Sequence, residues 1–155
     1  MRPQPSASYL APLGELHLPV QVAPVPPIAP PAGKIRVGDI VIDAPDWIDR
    51  GLTIQINDQS AMHEANLATF LDSIGMERSR SDYVAAQTLG AAAVGALVGA
   101  AASAPLALGS VVLGGPGGLL TGWMVLEAGP MLGAAVGGAV GAVKAVIAPP
   151  HGAGD

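Results

Sequence analysis

From Tyr83 to Val143 the chain runs for 61 residues with one charged side chain, Glu127. Small residues recur there at every fourth position: Ala91, Gly95, Gly99 and Ser103 first, then Gly133, Gly137 and Gly141. A helix in water needs a charged face toward solvent, and this segment has none to offer. In lipid the same spacing is useful, because small residues let helix backbones approach closely where no hydrophobic effect drives association. The pattern predicts a mainly α-helical protein built on a transmembrane helical hairpin with glycine-zipper packing.

Composition fits that reading. Charged residues make up 12% of the chain, about half the roughly 25% of soluble domains. Its apolar content is mostly Ala, Val and Leu, with 21 glycines and 3% aromatics. The net charge of −5 and the lack of any Lys/Arg cluster argue against nucleic acid and against electrostatic docking on anionic lipid. With no cysteine, disulfides, thiolate metal sites and cysteine nucleophiles are ruled out. The start, Met1-Arg2-Pro3-Gln4-Pro5, shows no signal peptide, which points to a processed chain or another export route.

Four zones follow one another. Residues 1–33 hold nine of the fifteen prolines and read as a Pro-rich extended arm or a disordered leader. As polyproline II, Pro19 to Pro31 spans about 40 Å, enough to cross a wall space or strap a neighbouring subunit. Residues 34–82 form a small polar region. Lys34–Val37 and Ile40–Ile42, around a Gly38-Asp39 turn, suggest a short β-hairpin. Residues 46–57 fit strand or helix, since Leu52-Thr53-Ile54-Gln55-Ile56 alternates while Ile48, Leu52 and Ile56 recur at four. Leu67, Phe70, Leu71 and Ile74 predict an amphipathic helix over 59–74, capped by Gly75, that covers a partner subunit or the base of the next helix.

Residues 83–148 are the expected membrane hairpin, with Ser81-Asp82 as its N-cap signal. Its helices are expected over 84–104, before Pro105, and over 131–148, between Pro130 and Pro149. The 105–130 link is apolar and glycine-rich, with a short helix over 119–128 and Trp123 at an interface. Arg78, Arg80 and Lys144 flank the hairpin on one side and place both termini on one face. Residues 149–155 are a tail.

The helix-packing and oligomerisation residues are therefore Ala91, Gly95, Gly99, Ser103, Gly133, Gly137 and Gly141, closing the hairpin and joining copies of the chain. Glu127 is a pore-lining residue or an interfacial loop residue. Lys144, near the last turn, snorkels to the interface. No catalytic, cofactor or metal site is expected. His63-Glu64 lacks the second histidine of a zinc helix, and His17, His63 and His151 are dispersed. Gly114-Gly115-Pro116-Gly117-Gly118 lacks the Gly-Lys-Ser/Thr of a phosphate loop, and no Ser/His/Asp triad is arranged.

The leader Ala23–Pro31 (Ala-Pro-Val-Pro-Pro-Ile-Ala-Pro-Pro), the Leu67–Gly75 helix and the Gln87–Gly99 tract resemble small exported envelope proteins of mycolic-acid-bearing actinobacteria. The Gly133/Gly137/Gly141 spacing is separately similar to glycine-zipper membrane proteins, some of which are channels. The first resemblance implies an outer-envelope location and brings no site residues with it. The expected function is an oligomeric envelope channel or pore with membrane lipid around it. A non-conducting anchor, scaffold or accessory subunit of an envelope complex is the first alternative, and a holin-like or toxin-like permeabilising protein the second. For a pore wall the hairpin offers only Thr88, Ser103, Ser110, Thr121 and Glu127.

Overall fold

The computed structural model describes residues 1–5 and 8–152, with all their side chains except ten between 107 and 121. It is mainly helical, with a two-stranded sheet of β1 (Lys34–Val37) and β2 (Ile40–Asp43) preceding helices α1 (Arg50–Ser73) and α2 (Arg78–Val146). The strands pair antiparallel with Lys34 opposite Asp43 and Val37 opposite Ile40. Gly38 supplies the positive φ of 63° that the turn requires.

α1 begins at Arg50, not Gln59, which makes 50–57 helical. Asp49 decides this, because its Oδ2 accepts from the backbone N–H of Gly51 at 3.0 Å and of Leu52 at 3.3 Å. The buried stripe also differs from the expected one. It runs through Asn57, Ala61, Glu64, Ala65, Ala68 and Leu71, while Phe70 is exposed. Alanines signal burial weakly in a sequence, yet here they let α1 lie close to its neighbours. The helix ends at Gly75 as expected, with φ +99° and Met76 N–H bonded back to Leu71 at 3.1 Å.

α2 begins at Arg78, with Glu77 rather than Ser81 as its N-cap, the Glu77 carboxylate accepting from Ser79 N–H at 2.9 Å. Helical structure runs through both Pro105 and Pro130, so neither ends a helix as expected. A proline forfeits one backbone bond and kinks a helix, and a packed neighbour can hold it in place. The two halves of α2 nevertheless lie side by side and antiparallel, since Gly95 meets Gly133 and Gly99 meets Gly129. These pairs are centred on Gly114 and require the chain to reverse between the two halves. Each half contains a helix long and apolar enough to cross a membrane, Arg78–Leu106 and Gly122–Val146, called here the first and second arms.

The proline-rich segment neither projects nor spans free space. It is bonded to its own chain: His17 N–H to Ile74, Val20 N–H to Ser73, and Val25 N–H to the Thr69 hydroxyl. It thus runs antiparallel to the last turns of α1, and Arg2 and Ile28 pair beside it. The core sits where these parts converge. Leu71, Met76, Val84 and Ala145 form one buried cluster, and Val25, Ala68 and Ala85 another. The apolar stripe of α1 therefore covers the base of the hairpin.

Candidate functional site: the small-residue seam and its polar base

The two arms meet along a line of small residues. A Cβ placed on Gly95 would collide with the Gly133 carbonyl oxygen and lie 3.1 Å from Gly137 Cα. One placed on Gly133 would collide with the Gly95 carbonyl and lie 3.2 Å from Gly99 Cα. Gly137 stands the same way against the Ala91 carbonyl, and Gly141 against that of Gln87, at 2.6 Å. Such geometry is open only to glycine. It brings Cα–H groups of one arm to carbonyls of the other, a weak contact that repeats along the seam.

All seven residues expected to pack thus come together inside one chain. An eighth, Gly129, joins them. A Cβ there would lie 2.5 Å from that of Ser103. Its four-residue spacing from Gly133 is visible in the sequence, where Pro130 reads as the helix boundary. Gly138 lies beside the seam, where a Cβ would find ordinary contact with Ala92 at 3.4 Å.

A second close approach holds the β-turn. Asp39 N–H donates to the Ala86 carbonyl at 3.1 Å, and the Asp39 carboxylate occupies the space a side chain at Gly90 would need.

The base is polar and internally matched. Arg80, 1% exposed, donates from Nη1 to the carbonyls of Ala145 (2.9 Å) and Val146 (3.0 Å), from Nη2 to Ala148 (2.8 Å), and from Nε to Ala11 (2.7 Å). Arg2 forms a two-pronged pair with Asp82 at 2.8 and 2.6 Å, and that hydrogen bond raises the pKa of the guanidinium. Arg36 and Glu64 form a buried pair at 3.0 and 3.1 Å, and Arg36 N–H also donates to the Asn57 side chain. Burial pushes the Glu64 pKa upward, with Arg36 pulling against it. The sequence gives no local sign of these partnerships, since their members lie 21 to 80 residues apart.

The flanking cations are not equivalent. Arg78 pairs with Asp72 at 2.9 Å, Arg80 is spent on carbonyls, and Lys144 stands exposed in the last turn. Glu127 is exposed on the second arm, away from Lys144. Thr88 and Ser103 turn their hydroxyls to backbone carbonyls of their own arm, Val84 and Ala100. Ser110 and Thr121 lie outside the described side chains. The outward faces are aliphatic, with Leu97 72% and Leu132 68% exposed. Beside the seam Val94, Val98, Leu132, Val136 and Val140 line an open apolar groove of about 820 Å³. Among the described residues no cluster of His, Asp or Glu is arranged to hold a metal. No family model, curated protein or solved structure matches this chain.

Proposed function

We propose that this protein is a membrane-inserted glycine-zipper hairpin that anchors a polar head at one face of a cell-envelope membrane, without conducting. The carrying observation is that the glycine contacts are made within one chain, which leaves Leu97, Leu132 and the valines facing outward. An aliphatic surface of that extent is costly in water and well matched to lipid tails. A pore would need a polar wall, yet the hydroxyls of Thr88 and Ser103 are bonded within their own arm. Lipid is then the first partner. Further copies, or a subunit of a larger envelope complex, associate through the outer valine and leucine faces, since the seam is already filled.

A channel formed by several copies is the second reading, favoured by one residue. Glu127 is exposed on an arm whose one other charged residue is Lys144 in the last turn, and intramembrane acids commonly face a conduction path. Reconstitution into a planar bilayer decides between them. An anchor gives a silent bilayer after the protein has been shown to resist alkaline extraction. Discrete current steps whose cation preference changes in Glu127→Gln would establish the channel instead.

A further inference from the structure

We infer that the bilayer surface meets this protein at the level of Ala96 and Ala134, with Trp47 and Leu52 seated among the lipid headgroups. The inference rests on membrane insertion as proposed above. By composition alone the apolar arms reach down to Arg78 and Val146, which would put the surface at the base of the hairpin. The packing of α1 forbids that. Its C-terminal end lies at the base, where Leu71 packs against Val84. Its N-terminal end lies far up the first arm, where Leu52 and Ile56 share a groove with Ala93, Ala96 and Ala134. Between those ends α1 carries Asp58, and Asp49 and Arg50 open it, all exposed. Charges in hydrocarbon are strongly unfavourable, so the hydrocarbon begins beyond α1.

What remains free has the right length. From Ala96 to Gly114 is about 18 residues, roughly 27 Å at the helical rise, and the hydrocarbon core is about 30 Å thick. The exposed side chains change character at the same level. Trp47, 84% exposed, precedes the first turn of α1, and Leu52 and Ile54 are exposed within it. An aromatic and aliphatic group beside charged residues suits the headgroup region. The same measure places Trp123, about nine residues past Gly114, roughly 13 Å from the bend and near mid-depth. Glu127 falls about four residues nearer the head, seven residues from Ala134 and so roughly 10 Å inside the surface, the one charged side chain placed in hydrocarbon.

The two tryptophans make this testable in the intact chain. Trp47→Phe and Trp123→Phe each leave one reporter for fluorescence in phosphatidylcholine vesicles brominated near the glycerol end or near mid-chain. Trp123 is expected to be quenched more by mid-chain bromine, and Trp47 more by shallow bromine. If Trp123 is quenched and Trp47 ignores both lipids, the surface lies lower on the hairpin and the inference is overturned while insertion stands. If neither tryptophan is quenched, insertion itself fails.

Discussion

Arg80, in the first turn of α2, donates to the carbonyl of Ala145 at 2.9 Å across a separation of 65 residues. One guanidinium thereby closes the base of the hairpin. The last carbonyls of any helix lack intrahelical partners, and a cation there also meets the negative end of the helix dipole. Arg80 answers both needs for the second arm while sitting on the first, and its bond to Ala11 ties in the N-terminal segment.

Replacing Arg80 by Met should therefore loosen the base on three sides. Hydrogen bonds to charged groups contribute about 1.5–3 kcal/mol each, so a loss of at least about 3 kcal/mol is expected in denaturant unfolding of the detergent-solubilised protein. Arg80→Lys should recover only part of it, since an ammonium cannot reach four carbonyls in one plane. Wild-type stability in Arg80→Met would discount the clasp.

Close packing rather than hydrophobicity is what the seam glycines provide. Gly137→Leu puts a branched side chain against the Ala91 carbonyl. The arms should separate toward the about 8–10 Å of ordinary helix pairs, lengthening the distance between spin labels at Val94 and Val136. Val140→Leu, on the groove side, should leave that distance unchanged, and equal distances in all three proteins would refute the packing.

The Arg36–Glu64 pair calls for a double-mutant cycle. Arg36→Met alone leaves Glu64 buried without its partner and should cost about 3–5 kcal/mol. Adding Glu64→Leu should restore most of the stability, because an apolar pair of similar volume avoids desolvating two ions. Additive losses in the double variant would show that the two side chains act independently.

Glu64 also sets a pH dependence. Burial raises its pKa above the ordinary 4.5, so the folded chain holds this proton where the unfolded chain has released it. That contribution is complete below about 4.5 and is lost as pH rises through the folded value. Unfolding free energy should accordingly decline with rising pH just above the ordinary carboxylate range, and Glu64→Gln should flatten that part of the curve. Arg36, Arg2 and Asp82 act on the same carboxyl, so the comparison is of slopes between variants.

Topology follows from the antiparallel arms. Single cysteines at Asp58 and Pro149 should react with an impermeant thiol reagent from one side of sealed vesicles, and a cysteine at Gly114 from the other. Reaction of Asp58→Cys and Pro149→Cys from opposite sides would rule out the hairpin.

The hairpin was legible in the sequence because both of its signals are local. A long charge-free run and a four-residue spacing need no knowledge of distant residues, and Ala91, Gly95, Gly133 and Gly137 were recognisable as a packing face. The turn at Gly38 and the cap at Gly75 were legible for the same reason, each resting on one residue's freedom to adopt positive φ.

Which faces meet was a different matter. Spacing shows that a glycine face needs a partner and does not say whether the partner is the same chain. The tertiary structure pairs the faces within the chain, setting Gly95 on Gly133 and Gly99 on Gly129. It also decided the start of α1, where the side chain of Asp49 outweighed the strand-like alternation of Leu52–Ile56. The base was beyond local reading altogether. Arg2 and Asp82, Arg36 and Glu64, and Arg80 look like ordinary charged residues in sequence. A buried charge is tolerable only beside its partner, and folding alone brings such distant residues together.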